Sequence, residues 1–450
     1  DVLPPLPTPL PVVTVQLPLY NEAYVAERLI DACAGLDWPR RLLEIQVLDD
    51  STDETVDLAE VRVQHWQQRG LDIVYIHRDD RTGYKAGALA NGLRLARGDF
   101  FALFDADFVP PPDFLRRMIP LFDAPDSGMV QARWGHLNQD DDLLTRVQAF
   151  GLDAHFAIEQ RVRERLGCFL NFNGTAGLWR RTCIEEAGGW QSDTLTEDLD
   201  LSYRAQLRGW RFRYAGDIEV PAEVPVSINA FRAQQFRWTK GAAETAFKMM
   251  GALWTSGQPQ RVKWEGTLHL TAHAVYPFVL LLALLHAPLL WLESTGRGPG
   301  TVYFAVMTLG LVGFAGFFLA QLFAQRHLYP RWGRRLLLFP VFMAGSMGMA
   351  LSNTVALGEA LLGRRSAFVR TPKFNIQSGS APRAWWRGRY AETRVPPVVW
   401  AEALLALYCL IGLGFVVASG AWAAVPFQAL FALGFGLITA WNARLLWYAC

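Results

Sequence analysis

The sequence predicts an α/β domain built on a mostly parallel sheet, followed by an α-helical transmembrane domain. Three observations carry this reading. From Val12 to about Met249 short apolar runs alternate with amphipathic helical stretches, the order of a parallel sheet covered by helices on both faces. After Lys263 come long apolar runs, each reaching the roughly 20 residues that a spanning helix needs. Hydrophobic residues make up 51% and charged residues 19% of the 450, too apolar for a purely soluble protein and too charged for a bare helical bundle. A chain of this length also exceeds what one core usually holds.

Residues 1–11 are proline-rich and read as an extended segment, because a signal peptide would show a basic start and an apolar block. The soluble domain is expected over 12–249. Val12–Leu17, Leu43–Leu48, Ile73–Ile76, Phe100–Phe104 and Gly128–Gln131 read as buried strands. Tyr24–Ala34, Thr52–Arg69 and Lys85–Arg97 carry helical spacing. Interfacial helices are expected near 228–263, and the membrane domain over 264–450. Its apolar runs are Leu268–Leu292, Val302–Phe323, Leu336–Leu362, Val398–Ala418 and Trp422–Trp447. The third is bracketed by basic loops, one with Arg326, Arg331, Arg334 and Arg335, the other with Arg364, Arg365, Arg370 and Lys373. Both flanks favour the cytoplasmic side. With Pro340, Gly345, Gly348 and Asn353 inside it, this run reads as a re-entrant or interfacial segment reaching to about 373. About four spanning helices result, with the soluble domain in the cytoplasm and the lipid bilayer as a partner. His269, His273, Asn353 and Glu402 are candidates among the polar residues of these runs to line a path, or else to bond helix to helix.

A net charge of +1 gives no bulk attraction for nucleic acid. Five cysteines without a CxxC pair argue against a disulfide framework or a zinc site.

In α/β folds ligands gather at the carboxyl ends of strands, and the acidic clusters fall there. Gln16–Glu22 closes the first strand, with Asn21 placed to cap the next helix. Asp49 and Asp50 close the second, as a helix cap or as acceptors for the N–H groups of uracil or guanine. Lys85, between glycines at a helix start, suits a diphosphate. Asp105-Ala106-Asp107 ends a strand before Pro110-Pro111-Pro112. Its hard oxygens suit Mg²⁺ or Mn²⁺ if the turn brings the two carboxylates together. Thr196-Glu197-Asp198 opens a helix, with Thr196 as a cap and one carboxylate as a candidate general base for a sugar hydroxyl. Gln234, Arg237 and Trp238 share one helix face. Arg237 offers a planar fork to a diphosphate and Trp238 a face to a sugar ring.

In this order the features D, DxD, TED and QxxRW resemble the processive family 2 glycosyltransferases, closest to the cellulose synthase-like A group of mannan and glucomannan synthases. Val130–Trp134, Phe172–Gly177, Ala187–Trp190, Leu351–Thr354 and Phe368–Lys373 also look like that group's text, so the likeness runs from Val12 to about Lys373. The resemblance implies a nucleotide-sugar-binding glycosyltransferase domain. In it Asp50, with Asp49, contacts the nucleoside, and Asp105 and Asp107 the diphosphate and metal. Asp198 is the catalytic base, Lys85 and Glu197 belong to the donor site, and Gln234, Arg237 and Trp238 hold the diphosphate and the acceptor end. Phe368–Lys373 is similar to the gating loop of cellulose synthases, FxVTxK, with Arg370 in place of its valine. The implied reaction is inverting elongation of a β-linked glucan or mannan from UDP-glucose or GDP-mannose, with translocation of the product. The rival enzyme reading adds one hexose to a lipid such as ceramide or diacylglycerol. A transporter with a nucleotide-binding domain is disfavoured by the missing Walker-type loop.

Overall fold

A computed structural model describes residues 4–298, 302, 309–378, 385–391 and 394–449. Seven strands form one sheet: β1 Val13–Leu19, β2 Leu43–Asp49, β3 Ile73–His77, β4 Phe100–Leu103, β5 Ser127–His136, β6 Gly177–Arg180 and β7 Arg211–Ala222. Their order is β3-β2-β1-β4-β6-β5-β7. β6 runs antiparallel to β4 and β5, and the other pairs are parallel. The five expected strands are present, several a few residues longer than expected. β5 runs on to His136 because it continues alongside β7 past a register shift at Ala132/Arg133.

β6 and β7 carry weak sequence signals. β6 has four residues, and β7 mixes Arg211, Arg213, Asp217 and Glu219 with its buried Phe212, Tyr214, Ile218 and Val220. On one face of the sheet Val13, Val15, Leu17, Ile45 and Val130 share a core with helix α1, Ala26–Ala34, and α2, Thr55–Gln67. On the other, Phe101, Leu103 and Trp179 pack with α3, Tyr84–Leu95. Further on lie α4, Leu143–Ala154, and α5, Glu197–Leu207.

Two expected caps are not made. Asn21 adopts φ +53° and its Oδ1 accepts from Thr52 N at 2.8 Å, so it ties the exit of β1 to that of β2, while α1 begins only at Ala26. Thr196 stands at the N-cap of α5, but its hydroxyl lies 3.2 Å from Thr245 Oγ1 instead of turning to the helix.

α6, Ile228–Thr255, leads from the sheet to the apolar half: α7 Gln260–Thr271, α8 Val275–Ser294, α9 Leu309–Leu328, α10 Phe339–Gly348, α11 Ala350–Leu361, α12 Val398–Ala418 and α13 Val425–Ala449. Among the described residues three helices are long and apolar enough to cross a membrane, Gln260–Ser294, Val398–Ala418 and Trp422–Leu445. A fourth element, Trp332–Gly348 with Ala350–Leu361, passes only as a pair bent by 43°. That break falls inside the run read as re-entrant. The first span starts earlier than expected, because α7 runs through a 3-10 turn into α8. Within the expected run Val302–Phe323, residues 303–308 lie outside the described residues, and the rest from Leu309 belongs to α9.

Three of the four candidate lining residues of the apolar half bond to the α/β domain or to α6. His269 Nδ1 lies 2.9 Å from Tyr203 OH, His273 Nδ1 lies 3.2 Å from Thr239 Oγ1, and Glu402 accepts from Arg232 at 2.6 Å. Asn353 is buried.

Candidate active site

The exits of β1, β2 and β4, the start of α5 and one face of α6 surround a cleft of about 180 Å³. Asp50, Lys85, Asp105, Asp107, Glu197, Asp198, Gln234, Arg237 and Trp238 all line it. Parallel strands deliver Asp50 and Asp105 to the same edge of the sheet, which is why residues far apart in sequence meet. Asp49 is placed differently: it is fully buried, accepting from Tyr75 OH at 2.6 Å and from Ser51 N at 3.0 Å. It braces the turn that presents Asp50. The Arg78 guanidinium grips Asp50 from behind, with Nε at 2.7 Å and Nη2 at 2.5 Å from its two oxygens.

Lys85 stands at the N-terminal end of α3, after Gly83 with φ +75°. Its ammonium donates to Asp105 Oδ1 at 2.5 Å and to Gly174 O at 2.8 Å, and lies 4.0 Å from Glu197 Oε1. Burial opposes its charge, but Asp105 and Glu197 outweigh burial and raise its pKa. Gly174 has φ +81°, and a Cβ there would come within 2.9 Å of Asp198 Oδ2. The glycine lets the loop after α4 lie against the start of α5.

Burial, and then the neighbouring Glu197 carboxylate, push the pKa of Asp198 up to about 7 against the pull of Lys85. Its Oδ1 accepts from Leu199 N at 2.8 Å. Burial also raises Glu197. α6 lies close on this helix start: a Cβ on Gly241 would be 2.5 Å from Thr196 Cγ2.

The two carboxylates of the Asp105–Asp107 pair have different partners. Asp105 faces Lys85, and its side chain is 38% exposed. Asp107 is buried, and its Oδ2 accepts from Lys373 Nζ at 2.7 Å and from Glu223 N at 3.0 Å. Among the described residues no three His, Cys, Asp or Glu side chains are grouped to hold a metal by themselves. One open carboxylate still fits Mg²⁺ or Mn²⁺, which take few protein ligands and complete their shell with water and substrate phosphates. Asp105 is the carboxylate of the pair that is left open.

Residues 366–376 form a strap across the cleft. Arg237 Nη1 donates to Val369 O at 2.8 Å, and its guanidinium lies 4.5 Å from the Phe368 ring centroid. Lys373 also donates to Glu223 O at 2.9 Å, and Arg28 joins Glu223 Oε1 at 2.8 Å to Asn375 Oδ1 at 2.6 Å. Lys240, fully buried on α6, holds Glu359 at 2.8 Å and Ser366 at 2.5 Å at the foot of the strap.

Sequence reasoning passed over Glu22, Asn173 and Glu223, which also line the cleft. Glu22 was visible at the end of the first strand motif. Burial drives its pKa up to about 8, against Arg370. Glu223 follows β7, the strand with the weak signal. Gln234 and Trp238 also border a second cavity, of about 440 Å³, which enters the apolar half between Tyr276, Phe342, Met343 and Trp441.

The family model for glycosyltransferase-like family 2 matches residues 10–241, more than half of the chain. The chain belongs to this family. Glucomannan 4-beta-mannosyltransferase 2 of Arabidopsis thaliana is 51% identical over 245 residues, 53% of this chain and 46% of the relative. Glucomannan 4-beta-mannosyltransferase 7 of the same plant is 38% identical over 370 residues, 81% of this chain and 65% of the relative. Glucomannan 4-beta-mannosyltransferase 1 of Oryza sativa subsp. japonica is 46% identical over 245 residues, 53% of this chain and 47% of the relative. The family 2 chain spans about half the length of the curated relatives it matches. Among solved structures it resembles the mannosyltransferase PcManGT from Pyrobaculum calidifontis in complex with GDP-Man and Mn²⁺. That likeness has a TM-score of 0.53 at 21% identity and covers 81% of this chain and 90% of the other, which shows a shared fold.

Proposed function

We propose that this chain is an inverting mannosyltransferase that extends a β-linked mannan or glucomannan from GDP-mannose. The observation that carries the reading is the convergence of Lys85, Asp105, Glu197, Asp198 and Arg237 in one cleft under the strap. The mannosyltransferase relatives named above favour mannose over glucose as the sugar.

In this reading Asp50, fixed by Arg78, accepts N–H groups of the base. Lys85 and Arg237 lie where a diphosphate would pass between α3 and α6, and their positive charge suits its negative one. A divalent cation at Asp105 would neutralise charge on the departing nucleoside diphosphate. Asp198 takes the proton from the acceptor hydroxyl. The freed oxygen forms its bond to the anomeric carbon as the bond from that carbon to the diphosphate oxygen breaks, so one in-line displacement turns an α-linked donor into a β-linkage. A pKa of about 7 leaves Asp198 basic enough to take the proton and partly ionised at neutral pH. Trp238 offers its face to the acceptor sugar. The border it shares with the second cavity gives a growing chain a route toward the apolar helices. The basic loops at Arg326–Arg335 and Arg364–Lys373 favour the catalytic side as cytoplasmic.

The test is turnover of GDP-mannose by the detergent-purified protein with Mg²⁺ or Mn²⁺, beside UDP-glucose and an Asp198→Asn control. A polymer sensitive to β-mannanase and lost in the control is expected. Transfer from UDP-glucose alone, or one sugar placed on added lipid, overturns the reading.

A further inference from the structure

Arg370 stands in the strap where the resembled pattern has valine, and its surroundings are those of a recognition group awaiting an acceptor. Its side chain is 15% exposed and lines the cleft with Tyr20, Glu22 and Asp50. The guanidinium lies over the Tyr390 ring, 4.3 Å from the centroid. Tyr390 is itself fixed, donating to Asp53 Oδ2 at 2.5 Å and accepting from Ala23 N at 3.2 Å. Arg370 is therefore held against the exits of β1 and β2, the strand ends that present Asp50. Its nearest carboxyl group, Glu22, stays at 3.8 Å, beyond hydrogen-bond reach. Arg370 Nη1 is buried with no hydrogen-bond partner among the described residues. A buried guanidinium N–H left unpaired is costly, and a ligand acceptor removes that cost.

Two bases are compatible with Asp50 alone. Arg370 separates them. Guanine presents two adjacent acceptors, O6 and N7, that match a guanidinium fork, whereas uracil has O4 and no counterpart of N7.

We propose that Arg370 is a specificity-determining residue for the donor base, donating to O6 and N7 of guanine while Asp50 accepts from N1–H and N2–H. This rests on the GDP-mannose reading and deepens it by naming how the nucleotide is told from a uridine one.

The test measures equilibrium binding of GDP, 7-deaza-GDP and UDP to the full chain in detergent with Mn²⁺. 7-Deaza-GDP keeps O6 and the diphosphate and lacks the N7 acceptor. The wild type is expected to hold GDP roughly tenfold or more tighter than 7-deaza-GDP. Arg370→Val is expected to erase that difference and leave UDP binding unchanged. Arg370→Lys, which keeps the charge without the fork, is expected to keep only part of it. Equal binding of GDP and 7-deaza-GDP by the wild type overturns this assignment and leaves the donor reading standing. A loss in Arg370→Val that is the same for GDP, 7-deaza-GDP and UDP also overturns it, placing Arg370 on the diphosphate or in the strap alone. Preference of the wild type for UDP over GDP overturns the donor reading and this inference with it. The decisive comparison is made in the wild type, so the folding of a variant does not enter it.

Discussion

Replacing Lys85 by methionine is expected to move the acidic limb of the rate profile toward alkaline pH. The Lys85 ammonium lies 4.0 Å from Glu197 Oε1, and its charge favours the ionised forms of both Glu197 and Asp198. At that separation two unit charges interact by about 4 kcal/mol at an effective dielectric of about 20, so losing the ammonium raises Glu197 further. Asp198 responds to burial and to Glu197 before it responds to Lys85, so a smaller movement is expected there. The sign follows from the chemistry. In the proposed reaction Asp198 must be ionised to accept the hydroxyl proton, so kcat/KM is expected to rise with pH through about 7 in the wild type. Without the ammonium the carboxyl keeps its proton to higher pH, and the rate at neutral pH falls by roughly fivefold for a movement of one pH unit from about 7. Initial rates at sub-saturating GDP-mannose, taken across the neutral and alkaline range, locate the limb. A limb that stays in place while the rate drops equally at every pH would refute the electrostatic role and leave Lys85 as a donor contact only.

Gly174→Ala places a Cβ 2.9 Å from Asp198 Oδ2 at a φ of +81°. The left-handed backbone costs roughly 1–2 kcal/mol; turnover should fall far more than this modest loss of thermal stability suggests, and an active variant would contradict the packing. Lys373→Met leaves Asp107 without its ammonium at 2.7 Å. The strap should then become more sensitive to limited proteolysis and turnover should drop; an unchanged digestion pattern would count against the strap's anchorage. Stability of the donor-free protein should decline as pH rises from about 4.5 to 8, because Glu22, at about 8, and Asp198, at about 7, keep protons that the unfolded chain has released. The contribution is fully present at the acid end of that window and lost at the alkaline end. Denaturant unfolding across this window checks it, with Glu22→Gln expected to flatten the upper part.

Most of the cleft was legible in the sequence because parallel strands deposit their C-terminal residues on one edge. Asp50, Asp105 and Lys85 could be placed from strand ends alone, and Gln234, Arg237 and Trp238 from helix spacing. What was not legible depends on partners distant in the chain. Asp49 and Asp50 are neighbours of one residue type, and only Tyr75 and Arg78 from the next crossover decide that one is buried as a brace and the other presented. The same holds for Asp107, whose ammonium arrives from Lys373. Thr196 looked like a cap, but Thr245 on α6 claims its hydroxyl. β7 was missed because its outer face is charged and its pairing with β5 shifts register, which dilutes the alternation a strand is read from.

The strap is the last part of the cleft to leave the ribosome. The sheet that carries Asp107 is complete at Ala222, yet the lysine that seats on it is Lys373, with α6 to α11 between them. A nascent chain at that point has Asp107 and Glu223 still lacking their lysine and Arg237 lacking the Val369 carbonyl. The site is finished only once the apolar helices have been threaded into place. Order of synthesis thus acts as an interlock: a chain that stalls or is cut before the strap is made lacks the contacts that close the cleft.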